Sequence, residues 1–150
     1  MPQSYTQLLY HIVFSTKGRM PWLVEPMQAR LYAYLGGGIR EEGGVALGIG
    51  GVENHVHILA RLRQDKAVSA VIGAIKANSS GWVHREFPNL SSFAWQQGYA
   101  AFTVSKSQEK TILDYIARQE EHHHGQPFQE ELLAFLEAHL VEYDERYLWD

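Results

Sequence analysis

The apolar and polar positions of this chain change period several times, and each change predicts an element. Residues 5–17, YTQLLYHIVFSTK, are dense in aromatic and β-branched side chains and predict a strand. In VEPMQARLYAYLGGGIREEGG the apolar residues Met27, Leu31, Tyr34 and Leu35 recur at helical spacing, and the glycines that follow predict a break or an end. VALGIGGVENHVHILARL is an apolar β-type run with Gly50, Gly51 and Asn54 in its middle, which predicts two strands joined by a short turn near residues 51–54. KAVSAVIGAIKANSSGWVHREF returns to the helical period. Val68, Val71, Ile72, Ile75, Trp82 and Val83 mark one face there, and Lys66, Ser69, Gly73, Lys76 and Ser80 the other. FAWQQGYAAFTVS predicts a strand bulged at Gly98. SQEKTILDYIARQEEHHHG predicts a helix capped by Ser105 or Ser107 and stopped by Gly125 and Pro127. FQEELLAFLEAHL predicts a short amphipathic helix, and VEYDERYLWD reads as a tail.

The predicted order is β-α-β-β-α-β-α-α. Its first six elements match the ferredoxin-like split βαβ plan: an α+β fold with a four-stranded antiparallel sheet, helices on one face and additional C-terminal helices. No repeat or linker interrupts the pattern, so residues 1–150 read as one domain with enough chain for a real core. Charge adds one refinement. The net value is −4, but eleven basic residues face seven acidic ones before position 114, whereas two face ten from there on. The larger part of the chain is mildly basic and compatible with a polyanion partner. There is no cysteine, which removes thiol chemistry and cysteine-bound zinc. LLYHIVF is too short to span a bilayer, so the expectation is a cytoplasmic protein with no membrane partner.

The candidate chemistry starts at ENHVHIL. In a strand, His55 and His57 point to one face while Val56, Ile58 and Ala60 point to the other. The apolar face is expected to lie under the helices, which leaves the imidazoles on the open face, spaced to share one cation. Two ordinary strand histidines would read the same way, so a third ligand decides. Histidine-triad hydrolases need a histidine where this chain has Leu59, and cupins need an early glutamate where none follows before Glu86.

The segment LDYIARQEEHHH offers the third ligand. Tyr115 and Gln119 are i and i+4 and share a helix face, with His122 one turn further on. The Gln119 oxygen could complete a site of two imidazoles and one carbonyl, and Tyr115 would then stand beside the ion. A tyrosine at this spacing also serves as simple packing, because Ile112 and Ile116 give the helix an apolar face. The run His122 to His124 reads as a solvated helix end, since successive helical residues diverge by about 100° and do not share an ion well.

ENHVHIL together with DYIARQEEHH resembles the single-tyrosine transposases of the HUH (His-hydrophobe-His) endonuclease superfamily, including the relatives associated with repetitive extragenic palindromes. YHIVFSTKGR, GYAAFTVSKS and the closing ERYLWD extend the likeness over nearly the whole chain. The resemblance implies a Mg2+ or Mn2+ cofactor held by His55, His57 and Gln119, with Tyr115 as the nucleophile. It implies single-stranded DNA, with hairpin ends, as substrate, a 5′-phosphotyrosine intermediate and a homodimer. Lys17, Arg19, Lys66, Lys76, Arg85, Lys106 and Lys110 are then the candidates for phosphate contacts. For the phenol proton, metal proximity is the simplest acceptor, with His122 or His123 as a weaker one. LGGGIREEGG and GIGG lack the lysine and spacing of a phosphate loop and read as turns, in keeping with an ATP-independent reaction. Two other classes stay open: a non-catalytic single-strand or hairpin DNA-binding module, and a small metal-dependent hydrolase that uses water in place of tyrosine.

Overall fold

A computed structural model of the chain describes residues 3–123 and 125–149. Four strands, β1 (Leu9–Ser15), β2 (Val45–Val52), β3 (His55–Arg61) and β4 (Ala100–Val104), form an antiparallel sheet in the order β2-β3-β1-β4. Helices α1 (Met27–Glu41) and α2 (Val68–Glu86) cover one face, and α3 (Glu109–Ala117), α4 (Gln119–His123) and α5 (Phe128–Ala138) follow the last strand. The α+β, βαββαβ expectation holds in element order and in the four-stranded antiparallel sheet.

The main core lies between the sheet and the first two helices. Strand alternation sends Ile12, Phe14, Val56, Ile58 and Ala60 into it, and helical spacing adds Met27, Leu31, Leu35, Ile39, Val71, Ile72, Ile75 and Val83. Of the two outcomes the glycines predict, α1 shows the end, closing at Glu41 ahead of Gly43, and no break at Gly36–Gly38. The helix runs through Gly36–Gly38 because Gly38 faces α2: a Cβ there would sit 3.2 Å from Ile75 Cγ2. Gly38 lets the two helices approach, Gly36 faces Ala46 and Ile49 of β2, and Gly37 faces open space.

Other boundaries shift for equally local reasons. The 45–61 hairpin turns over Glu53 and Asn54, so Gly50 and Gly51 lie within β2. The fourth strand starts only at Ala100, while Trp95 forms an isolated bridge to Thr16 and buries its ring in the main core. Neither Ser105 nor Ser107 caps the third helix; the two hydroxyls bond each other at 3.0 Å, and a 3-10 turn, Lys106–Gln108, leads into α3.

The second face of the sheet is not open. Val13 and Phe102 on that face meet Phe128, Leu132 and Leu136 of α5 in a separate apolar cluster. Burying three such large side chains contributes roughly 1.5–3 kcal/mol each, which holds α5 against the strands that carry the histidines. Among the described residues, no helix is long and apolar enough to cross a membrane.

Candidate metal and tyrosine site

β3 places His55 and His57 on the face away from the main core, as alternation predicts, and both are fully buried under α3, α4 and α5. The expectation of an open face fails here because the C-terminal helices, apolar along one stripe, must cover some surface. His55 Nε2 lies 3.2 Å from Gln119 Oε1, and its Nδ1 lies 2.7 Å from Asn54 Oδ1. His57 Nδ1 lies 2.8 Å from Nε2 of His11, a buried residue of β1.

α3 reaches the sheet by way of glycine. A Cβ on Gly48 would lie 2.6 Å from Leu113 Cδ2, and a Cβ on Gly50 would collide with the Ile116 carbonyl oxygen. The GIGG run therefore lets the tyrosine helix lie directly on β2. The helix breaks at Arg118, yet Gln119 still reaches back, its Nε2 donating to the Tyr115 carbonyl oxygen at 3.4 Å.

Between the histidines and the tyrosine stands Glu131 of α5, 2% exposed. Its Oε1 lies 3.0 Å from His57 Nε2 and 3.2 Å from the Nε2 atoms of His55 and His123. Its Oε2 accepts from the Tyr115 hydroxyl, which also contacts His122 Nε2 at 3.2 Å. Burial works against a charged carboxylate, but the contacts from His123, His55 and His57 outweigh it and hold Glu131 well below the usual carboxylate range. Burial pushes His55 down to about 4 and His11 down to about 3. Tyr115 is driven well above the ordinary phenol value, first by burial and then by Glu131. Burial opposes the charge on His123, but its contact with Glu131 raises it overall.

One ligand atom each from His55, His57, His123 and Glu131 falls within a cluster 4.8 Å across. Three imidazole nitrogens and a carboxylate oxygen are a sound donor set for a divalent ion, so the buried group can hold a metal.

A sequence profile described as "Transposase IS200 like" matches residues 4–119. The chain belongs to the IS200-like transposase family. Two solved structures share the transposase fold. One is a Deinococcus radiodurans R1 protein described as a candidate transposase, 23% identical, covering 79% of this chain and 95% of that one with a TM-score of 0.67. The other is a REP-associated tyrosine transposase bound to a REP hairpin, 16% identical, covering 82% of this chain and 73% of that one with a TM-score of 0.61. No curated protein matches the chain.

Within this transposase frame the structure brings His55, His57, Gln119 and Tyr115 together, and adds His11, His123 and Glu131. His122 and His123 are not a solvated helix end: one meets the phenol and the other the carboxylate, while His124 lies outside the described residues. Two signals for the added residues exist in the sequence. His123 continues the i, i+4 series from Tyr115 and Gln119, and Glu131 occupies a position in the apolar stripe of Phe128, Leu132 and Leu136. A buried carboxylate in such a stripe calls for partners.

Among the described residues, none of the seven basic candidates bonds the histidines, Glu131 or Tyr115. Lys66, Lys106 and Lys110 pair with Glu42, Glu109 and Asp114 at 2.9, 3.0 and 2.8 Å. Lys76 donates to the carbonyl oxygens of Gln96 and Gly98 at 2.7 Å and is pushed down to about 8 by burial. Arg19 packs its guanidinium 5.4 Å from the Trp149 ring centroid. Lys17 and Arg85 are exposed.

Proposed function

We propose that this protein cleaves and rejoins single-stranded DNA through a 5′-phosphotyrosine at Tyr115, using a divalent metal held by His55, His57 and Gln119. The observation that carries the reading is the joint contact of Glu131 with both partners: one oxygen lies 3.0 Å from His57 Nε2 and the other accepts from the Tyr115 hydroxyl. A nucleophile and a metal-ligand pair are thus bridged by one side chain, and family membership supports the same chemistry.

His55, His57 and Gln119 would hold a Mg2+ or Mn2+ ion, which would supply Lewis-acid stabilisation to the scissile phosphate. Tyr115 Oη forms a new bond to phosphorus as the bond to the 3′ oxygen breaks, releasing a free 3′-OH. The phosphotyrosine conserves the bond energy, so a second 3′-OH reverses the step without ATP. The phenol proton, donated to Glu131 Oε2, leaves toward solvent by way of His122 Nε2, 3.4 Å from that oxygen and 30% exposed. His11 fixes the His57 ring through its 2.8 Å contact. The substrate is single-stranded DNA with hairpin ends, a reading supported by the hairpin bound to one structural relative. Lys17 and Arg85, both exposed, pair with substrate phosphates. Residues 1–150 act as one domain in the cytoplasm, and two copies associate through the sheet edges β2 and β4.

The depth of the site favours one other reading. Fully buried His55 and His57 under a docked α5 fit a hairpin-binding module whose site stays idle. Incubating the protein with 3′-labelled single-stranded hairpin DNA and Mn2+ separates the two. The proposal predicts strand cleavage that a chelator abolishes, whereas binding with no cleavage at any metal concentration supports the idle module.

A further inference from the structure

The atoms that meet around Glu131 have mismatched hydrogen-bonding roles. His123 Nδ1 lies 2.5 Å from the backbone oxygen of Gln126, an atom that only accepts. The proton of the neutral ring therefore sits on Nδ1, and Nε2 presents a lone pair. His55 repeats the arrangement, with Nδ1 2.7 Å from the Asn54 side-chain oxygen and Nε2 again bare. Both lone pairs face Gln119 Oε1, at 3.2 and 3.0 Å, and both face Glu131 Oε1 at 3.2 Å. These four atoms are all acceptors, and in a dry interior they repel one another unless positive charge lies among them. Protonating His123 would satisfy Glu131 but leave His55 Nε2 facing two oxygens. A metal ion satisfies all four at once. The far nitrogen of each ring already donates to an oxygen, the arrangement that orients metal-bound imidazoles. Neighbouring ligands of a six-coordinate ion with bonds near 2.1 Å lie about 3 Å apart, which matches the separations around Glu131.

We infer that His123 and Glu131 are metal ligands, so that the segment following residues 4–119 completes the metal centre. The inference rests on the metal-centre reading of His55 and His57 given above. It makes α5 part of the centre: one oxygen of Glu131 binds the ion while the other accepts from Tyr115, so a single carboxylate links metal and nucleophile. Five donors leave one position of about six for a phosphate oxygen.

Calorimetric titration of the full chain with Mn2+, and the visible absorption of the Co2+-loaded protein, test this in wild type, Glu131→Ala, Glu131→Gln, His123→Ala and His57→Ala. Glu131→Gln keeps the side chain's shape, and thermal melting checks that every variant is folded. The expected result is Mn2+ affinity reduced by about tenfold or more in Glu131→Ala and His123→Ala, with altered Co2+ bands in both. Mn2+ should also slow amide exchange across α5 in the wild type and not in Glu131→Ala. If either Glu131 variant weakens binding while the Co2+ bands stay unchanged, the carboxylate acts only through its charge and the inference falls. It also falls if Glu131→Ala and His123→Ala bind as wild type while His57→Ala loses binding, because the ion is then held by the His55, His57 and Gln119 set alone. Wild-type affinity in His57→Ala removes the metal centre itself, and the proposed function with it.

Discussion

His11 and His55 give the residue scale its sharpest consequence. Burial holds both rings neutral, with values lowered to about 3 and about 4, whereas the unfolded chain titrates near 6.5. A group depressed in this way stabilises the fold above its unfolded value and loses that contribution as pH falls toward the folded one. His123, raised by Glu131, has the opposite sign, and its share is lost as pH rises above the ordinary histidine range. Two depressed rings against one raised ring predict a melting temperature that drops as pH falls from about 6.5 to about 4. Thermal melts at several pH values check this, and the drop should shrink in His11→Phe, which replaces one buried imidazole by a ring that does not titrate. The histidine pair was legible in the sequence because strand alternation fixes its face. Glu131 left only an indirect trace, its place in the apolar stripe of α5, and the docking of that helix reveals what it meets.

At the scale of elements, the position of the tyrosine helix depends on β2. Gly50 allows the Ile116 backbone to rest on the strand, and Gly48 does the same for Leu113. Valine at position 50 would force α3 outward, at a cost of about 1–3 kcal/mol, without touching the main core on the other face. Gly50→Val should therefore fold with a modestly lower melting temperature and lose DNA cleavage by at least about tenfold, one such step corresponding to about 1.4 kcal/mol. Cleavage at the wild-type rate would mean that the active arrangement does not use this docking. The sequence pattern identified GIGG as a turn because two adjacent glycines usually mark one. The actual requirement, close approach of a later helix, is a long-range property that local pattern does not carry. The unbroken α1 has a related explanation, since Gly38 faces Ile75 of α2, a neighbour far along the chain. The βαββαβ order was legible for the opposite reason: period, turn chemistry and element length all act locally.

For the whole molecule, the helix that carries Tyr115 lies on the sheet that carries His55 and His57 of the same chain, with Glu131 touching both. Each chain therefore has the parts of a complete site, whether or not two copies associate. Mixing inactive Tyr115→Phe with inactive His57→Ala is expected to leave cleavage absent even where subunits exchange, as labelled chains can verify. Recovered cleavage would show that the tyrosine helix crosses to a partner's histidines.

A denaturing gel shows whether Tyr115 becomes covalently joined to DNA at this metal centre. Protein is incubated with single-stranded hairpin DNA labelled at its 3′ end, with Mn2+ present, and the label is followed after denaturation. The expected result is a labelled band at the size of the protein plus the 3′ fragment, absent with chelator and absent in Tyr115→Phe. An undiminished adduct in Tyr115→Phe, or cleavage that yields a free 5′-phosphate and no adduct in the wild type, would contradict it.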